Sequence, residues 1–354
     1  MRSVPRPLLF LPVLPLALLA AGVIPAASDA RGGKRPHRAH GANVARLFAP
    51  TSVWNQPLAA NAPIDPRSGA LVSALAAEAA AEQRAGTGPW ISTTSYSTPL
   101  YVVGPNQPKV RVALDDPTAA WRLDLQAAFQ AVPIPPNARQ AAGTDAQLTI
   151  YQPSTDRLWE FWKARKLADG WHASWGGAIE HVSSSPGYYD ASSWPGAGRH
   201  WGASASSLPL IAGTMTLREL RNGTIRHALA MEVPFARGGV YALPAQRSDG
   251  RNPDPTSLPE GARLRLDPAL DVRALKLPRL TEQMALAAQR YGIVVRDESR
   301  HSIGFYGEDP TPTGTNPYRA PGGFYGGRFP SDVLARFPWR SLRVLRMELR
   351  PGSR

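Results

Sequence analysis

Hydrophobic and polar residues alternate along many short segments between residues 48 and 354. Such a period of two indicates strands, because successive side chains of a strand point to opposite faces of a sheet. The alternating segments are 100–104, 109–115, 147–152, 157–166, 171–182, 224–234, 262–267, 293–307 and 341–350. Many short strands with few helices are typical of a mainly β fold, and we expect an antiparallel β-sandwich or jelly roll.

Helical spacing interrupts this alternation at a few places. Residues 68–84 and 281–291 carry apolar side chains three and four positions apart, so we expect helices there at the periphery of the sheets. Thr216 and Glu219 have the spacing of a capping box, and Gly223 follows at the place where a short helix would end.

Turn residues between the strand segments suggest how the strands pair. Segments 100–104 and 109–115 are separated by four residues and predict a hairpin, as does the segment 293–307. The segments at 147–152, 157–166 and 171–182 predict a three-stranded meander.

The first thirty residues differ from everything that follows. Arg2 and Arg6 precede an apolar run that ends in small residues, which predicts a secretory signal peptide over residues 1–30 and an extracellular protein. An uncleaved N-terminal anchor is the alternative. Residues 31–47 are basic and predict a disordered tether, and residues 48–354 predict a single β-rich domain with an N-terminal helical arm.

Composition narrows the function further. The formal net charge is +13, and residues 1–40 hold six Lys or Arg and one acid, so +8 remains for the rest of the chain. A basic surface attracts acidic polymers such as uronate-containing polysaccharides. Nucleic acid is not expected, because no zinc-finger spacing, RNP-like motif or basic heptad is present. The chain has no Cys, which excludes Cys nucleophiles and Cys-ligated metals.

The segment 156–181 concentrates unusual chemistry. It holds four of the ten Trp and two of the seven His, together with two Glu. Indole rings stack on sugars and carboxylates transfer protons, so these residues suit a glycan cleft. Aromatic residues on paired strands are also ordinary core residues, and the pattern leaves both interpretations open. The alternation favours Glu160 and Trp162 on a solvent-reachable cleft and Trp159 in the interior.

Two further segments supply candidates. On the segment 224–234, His227 lies in an apolar row and Glu232 lies among alanines on the other face, where burial would raise the pKa of a general acid. The turn 247–254 carries mixed charges but departs from the EF-hand pattern, which favours a solvated turn. We therefore expect no metal and no cofactor.

The runs 159–164, 171–177 and 200–234 resemble a set of secreted, Trp-rich proteins of high-GC bacteria. The resemblance extends over most of the chain after about Phe48. It implies export and a single extended module, and it brings no catalytic residue with it.

These observations lead to two hypotheses. The first is a secreted enzyme that cleaves an extracellular polysaccharide, as a glycoside hydrolase or as a polysaccharide lyase. The second is a glycan-binding or envelope-associated module without catalysis. The candidate catalytic residues are Glu160, Glu180, His172, His227 and Glu232. The candidate substrate-binding residues are Trp162, Trp171, Trp175, Trp201 and Arg247.

Overall fold

Fifteen strands and four α-helices build the part of the chain that the structure, a computed structural model, describes: residues 47–116, 120–198 and 201–352. The helices are α1 (Ser68–Ala85), α2 (Ala120–Ala128), α3 (Leu217–Asn222) and α4 (Arg279–Arg290). The strands are β1 (Trp90–Ser92), β2 (Leu100–Val102), β3 (Val112–Leu114), β4 (Leu148–Gln152), β5 (Arg157–Trp162), β6 (Arg165–Leu167), β7 (Gly170–Ala173), β8 (Trp175–Ile179), β9 (Leu229–Val233), β10 (Val240–Ala242), β11 (Arg263–Leu266), β12 (Ile293–Glu298), β13 (Gly304–Tyr306), β14 (Leu342–Val344) and β15 (Leu349–Pro351). The predicted signal peptide and the predicted tether, except Leu47, lie outside the described residues.

The largest sheet has six strands in the order β1-β13-β9-β12-β11-β14. Strand β9 lies between β12, to which it runs parallel, and β13, to which it runs antiparallel. The second sheet has the order β2-β4-β5-β8, and its antiparallel part β4-β5-β8 contains most of the aromatic segment. Two small sheets, β3-β7-β6 and β10-β15, complete the set.

The prediction of a mainly β protein with few helices is confirmed. The prediction that its sheets are antiparallel is wrong in part, because the pairs β1–β13, β9–β12, β2–β4 and β3–β7 are parallel. All the described sheets are open. A sandwich or jelly-roll arrangement stays a prediction.

The sequence-based predictions are more accurate for single helices and strands than for the pairing of the strands. Helices α1 and α4 confirm the two predicted helices, and Thr216 forms the predicted capping box with Glu219. Both predicted hairpins are wrong. Strands β2 and β3 belong to different sheets, and β9 separates β12 from β13.

Strand β9 separates two hydrophobic cores. Leu229, Met231 and Val233 pack into one core together with α1 and α4, as the alternation predicts. Ala228 and Ala230 point to the other core, which includes β4, β5 and β8. Because both faces of β9 are covered, the polar side chain of Glu232 near its end is an exception that needs a specific environment. Among the described residues, no helix is long and apolar enough to cross a membrane.

Candidate active site

The carboxyl ends of β9 and β12 lie at the same edge of the six-stranded sheet, because these two strands are parallel. Glu232 near the end of β9 and Asp297 near the end of β12 are direct partners in the register. Between Val295 and Asp297 the register shifts by one residue, so Arg296 is the extra residue of a β-bulge. Bulges commonly redirect side chains next to functional sites. This one brings two acids side by side.

Three neighbours fix the carboxylate of Glu232. The Tyr306 hydroxyl donates a hydrogen bond to Glu232 Oε2 at 2.9 Å, and Ser92 Oγ lies 3.5 Å from Oε1. Gly304 faces Glu232 across the β9–β13 pair, and a Cβ atom at Gly304 would lie 2.1 Å from Oε1. The absence of a side chain at this position therefore makes room for the carboxylate.

A third carboxylate, that of Asp145, reaches the site from the loop before β4. Asp145 Oδ1 accepts a hydrogen bond from the indole Nε1 of Trp162 at 3.0 Å. The backbone carbonyl of Asp145 also accepts from the amide of Lys163 at 2.7 Å. Trp162 therefore acts at this site through Asp145: the strand that carries the indole fixes the position of the acid.

These acids line one cleft with a volume of about 580 Å³. Asp145, Glu232, Asp297 and Tyr306 contribute to it, together with Ser and Thr side chains from residues 92–95. Its other polar and aromatic lining residues include Trp90, Tyr96, Arg300, His301 and Arg319. Tyr96, Arg300, His301 and Arg319 are exposed, so the cleft combines half-buried acids with an open rim that carries cations and aromatic rings.

Burial dominates the electrostatics of the cleft acids. The pKa of Glu232 is raised to about 7. Burial is the largest cause and the charge of Asp145 acts in the same direction, while the Tyr306 hydrogen bond and the charge of Arg296 lower the pKa. Burial and the charge of Asp249 raise the pKa of Asp297 to about 8. Glu232 and Asp145 line the same cleft, and the negative charge of Asp145 acts to raise the pKa of Glu232.

The prediction that Glu160 lines a solvent-reachable cleft is wrong, because its side chain is 0% exposed. Its two oxygens accept hydrogen bonds from the backbone amides of Ala203 at 2.8 Å and Leu210 at 2.7 Å. Burial raises its pKa to about 7 against the effect of these two bonds. Glu160 thus anchors the segment 203–210 and lies outside the cleft.

The aromatic segment divides between the core and the surface. Trp159 is buried as predicted. Trp171 and Trp201 are buried too, so the prediction that a ligand stacks on these two rings is wrong. Trp162 and Trp175 are partly exposed and face each other across β5 and β8. The space beside Gly176 and Gly177 is filled by Phe129 and Tyr189 of the chain itself.

Two predicted catalytic residues lie in surface ion pairs away from the cleft. His172 Nε2 is 3.0 Å from Asp169 Oδ1. Glu180 pairs with Arg157. Neither residue lines the cleft that contains Glu232.

His227 lines a different cavity of about 410 Å³. Its Nδ1 lies 2.8 Å from the carbonyl oxygen of Ala228 and its Nε2 lies 3.0 Å from Glu219 Oε2. Although burial alone would raise the pKa of Glu219, the charge and hydrogen bonds of His227 and Thr216 lower it to about 2. Both ring nitrogens are engaged, so this arrangement leaves the ring without a free position for a substrate proton. Among the described residues, none lines both this cavity and the cleft of Glu232.

Arg247, a predicted substrate-binding residue, donates hydrogen bonds to backbone carbonyl groups of residues 202–205. Its Nε donates to Ala205 O at 2.9 Å, and its Nη2 donates to Gly202 O at 2.9 Å and to Ser204 O at 2.8 Å. The guanidinium therefore fixes the segment that follows Trp201. It also lies near the acids Glu260, Asp297 and Asp249, whose charges act on it.

Of the predicted catalytic residues, the structure places Glu232 alone in the cleft. Sequence reasoning missed Asp145, Asp297 and Tyr306. The sequence offered a signal for Asp297, since this residue lies just after Arg296 at the end of the apolar strand pattern 293–295. Asp145 lies in a loop, where no pattern in the sequence predicted its role.

Neither a protein-family model nor a curated protein nor a solved structure matches this chain. The functional argument therefore depends on the geometry of the cleft.

Proposed function

We propose that this protein is an exported enzyme that cleaves glycosidic bonds of an acidic polysaccharide in the cleft of Glu232. The observation that carries the proposal is the meeting of two carboxylates, Glu232 from β9 and Asp145 from a distant loop, in one cleft of about 580 Å³. A space of this size is typical of sites that enclose a small molecule or a few units of a polymer.

Glycoside hydrolysis requires such a pair of carboxyl groups. One protonates the leaving oxygen, and the other activates water or attacks the anomeric carbon. Glu232 suits the first role, because burial raises its pKa to about 7, and its Oε1 has only the long 3.5 Å contact with Ser92 Oγ while Tyr306 engages Oε2. Asp145 suits the second role, because Trp162 holds it in a fixed orientation.

The rim of the cleft suits an acidic chain. Arg300 and Arg319 supply positive charge at the opening, where uronate carboxylates would pass. Trp90 and Tyr96 supply aromatic faces on which sugar rings stack. The basic balance of the whole chain acts in the same direction.

A lyase mechanism is the second candidate, and the same rim favours it. A lyase neutralises the uronate with Arg and uses groups such as His and Tyr as base and acid. Arg300, His301 and Tyr96 line one cleft and provide these three chemical types.

A panel of purified polysaccharides tests the proposal. Hydrolysis would release reducing ends without absorbance at 235 nm, whereas a lyase would release both. Acidic glycans should be cleaved faster than neutral ones of similar length. Binding without any product would favour the non-catalytic module and reject the enzyme.

Export is part of the proposal and depends on residues 1–30. The mass of the protein collected from the medium of an expressing bacterium tests it. We expect cleavage after Ala30, whereas uncleaved protein that stays in the membrane fraction would favour the anchor.

A further inference from the structure

Three acids from separate segments meet beside the cleft. Asp249 lies in a turn after β10, Glu260 lies just before β11, and Asp297 lies on β12. One carboxylate oxygen from each residue lies within 4.8 Å of the other two. Asp249 is exposed and Asp297 lines the cleft, so the group is reachable from solvent.

A second observation indicates that this group receives a ligand. Glu260 is 0% exposed, and its Oε2 accepts a hydrogen bond from the amide of Asp249 at 3.1 Å. Its Oε1 has no hydrogen-bond partner within the described ranges. A buried carboxylate oxygen without a partner is costly, and such exceptions commonly mark the site of an ion or water.

The backbone holds Glu260 firmly in place. Gly261 has a φ of 83°, and a Cβ atom there would lie 1.6 Å from the carbonyl oxygen of Ala242, so this position requires glycine. The amide of Gly261 donates to Val295 O at 2.7 Å, which joins the turn to β12 two residues before Asp297. The carboxylates are therefore brought together by the fold and not by flexible side chains alone.

The neighbouring cations only partly balance the three acids. Arg300 Nη2 lies 3.8 Å from Asp249 Oδ2, and its Nε lies 3.5 Å from Glu298 Oε1, so it is shared between two acids. Arg247 lies near the group but directs its Nε and Nη2 to backbone carbonyls. Arg296 stacks on Tyr306 with its guanidinium carbon 3.5 Å from the ring centroid.

We propose that Asp249, Glu260 and Asp297 bind one Ca²⁺ ion. A donor set made only of oxygens selects a hard cation over Zn²⁺. Ca²⁺ accepts oxygens at about 2.3–2.6 Å in flexible geometry, so two of its ligands lie at most about 5 Å apart. Mg²⁺ requires a stricter octahedron, which three acids from three separate segments suit less well. The ion ties two turns to β12 and fixes Asp297 at the edge of the cleft, and it does not depend on the proposed glycan chemistry.

Calorimetric titration of the EDTA-treated full protein with CaCl₂ tests the site, with MgCl₂ and ZnCl₂ as parallel probes. We expect one Ca²⁺ per chain and a rise in melting temperature that follows occupancy. Asp249→Asn and Glu260→Gln should each weaken Ca²⁺ binding by about tenfold or more. Asp254→Asn is the matched control, because Asp254 is exposed in the same loop and outside the group. It should bind as the wild type does.

The stability of Glu260→Gln separates ligation from a merely structural role. Without Ca²⁺ this variant should melt near the wild-type temperature, since glutamine keeps an oxygen that accepts from the Asp249 amide, yet its response to Ca²⁺ should be lost. If Glu260→Gln does not fold, Asp249→Asn still decides the question, because Asp249 is exposed. The proposal is overturned by no binding at 10 mM, a concentration about tenfold above the weakest extracellular calcium sites. Mg²⁺ binding without Ca²⁺ binding, or wild-type affinity in both variants, also overturns it.

Discussion

Glu232 has its position because the residue opposite lacks a side chain. At Gly304, whose φ lies outside the left-handed region, alanine is acceptable to the backbone but its Cβ would collide with the carboxylate of Glu232. We expect Gly304→Ala to lower glycan turnover by about 10²-fold, the effect typical of a displacement near 1 Å. Initial rates measure it.

Gly69→Ala is the matched control for that substitution. Gly69 lies in α1, and a methyl group added there would meet no atom of another segment within 4 Å. Alanine should therefore stabilise the helix by about 0.5 kcal/mol and leave turnover unchanged. Wild-type turnover in Gly304→Ala would show that the position of Glu232 does not matter.

Substitution of Trp159 and of Trp162, both on β5, should affect stability to different extents. Trp159 is 2% exposed and donates its indole N–H to Ala128 O, so Trp159→Ala should cost about 3–5 kcal/mol of unfolding free energy. Trp162 is partly exposed, so Trp162→Ala should cost only about 1–2 kcal/mol but should lower turnover, because Asp145 loses its hydrogen bond. Urea denaturation and initial rates distinguish the two, and the reverse order of stabilities would contradict the assignment of the faces.

The alternation of residues predicted correctly which face of a strand a side chain occupies. It did not predict whether other parts of the chain bury that face. Alternation placed Trp159 in the interior correctly, and it placed Glu232 on the face shared with Ala228 and Ala230. It could not show that Glu160 is fully buried, because the amides that satisfy its carboxylate come from residues more than forty positions away. Asp145 was missed for the same reason, since its role arises only from the cleft that it shares with Glu232 of β9.

Among the elements, the short helix α3 depends on Thr216, the N-cap residue that precedes it. Thr216 Oγ1 accepts from the amide of Glu219 at 3.3 Å, and the Glu219 carboxylate accepts a hydrogen bond from the amide of Thr216 in return. We expect Thr216→Ala to lower the unfolding free energy by about 1 kcal/mol, as for other lost caps. Thr315→Ala, at an exposed loop position, is the control and should change it by less than about 0.5 kcal/mol. Equal midpoints in urea for both variants would contradict the importance of the cap.

Strand pairing is the level at which the sequence was least informative. A period of two predicts a strand and its two faces but carries no information on its partner. Segment 293–307 fits a hairpin locally, yet β9 enters between its halves from about sixty positions upstream. That insertion creates the edge where Glu232 meets Asp297, so the candidate site could not be assembled from local patterns.

At the scale of the whole molecule, buried acids should set the dependence of stability on pH. Burial raises the pKa of both Glu82 and Glu160 from 4.5 to about 7. Between these values the folded state binds more protons than the unfolded state, so the unfolding free energy falls as pH rises from about 4.5 to 7. Each group contributes on the order of 3 kcal/mol to this loss. Denaturation in EDTA at several pH values measures it.

Glu82→Gln isolates one part of that dependence. Glu82 Oε1 accepts from the amide of Ile303 at 2.7 Å, and glutamine keeps this acceptor while removing the titration. The fall in stability between pH 4.5 and 7 should become shallower in this variant. Glu348→Gln, at an exposed position, should keep the wild-type dependence of stability on pH. An unchanged dependence in Glu82→Gln would show that Glu82 does not contribute to it.

The central claim is that Glu232 and Asp145 cleave a glycan together, and the turnover number of isosteric variants tests it most directly. On the polysaccharide that gives the most product, Glu232→Gln and Asp145→Asn should each lower kcat by about 10²-fold or more, the usual contribution of a positioned acid or base. Glu348→Gln should keep the wild-type kcat. Wild-type kcat in either cleft variant, measured on protein that melts as a folded domain, would contradict the claim.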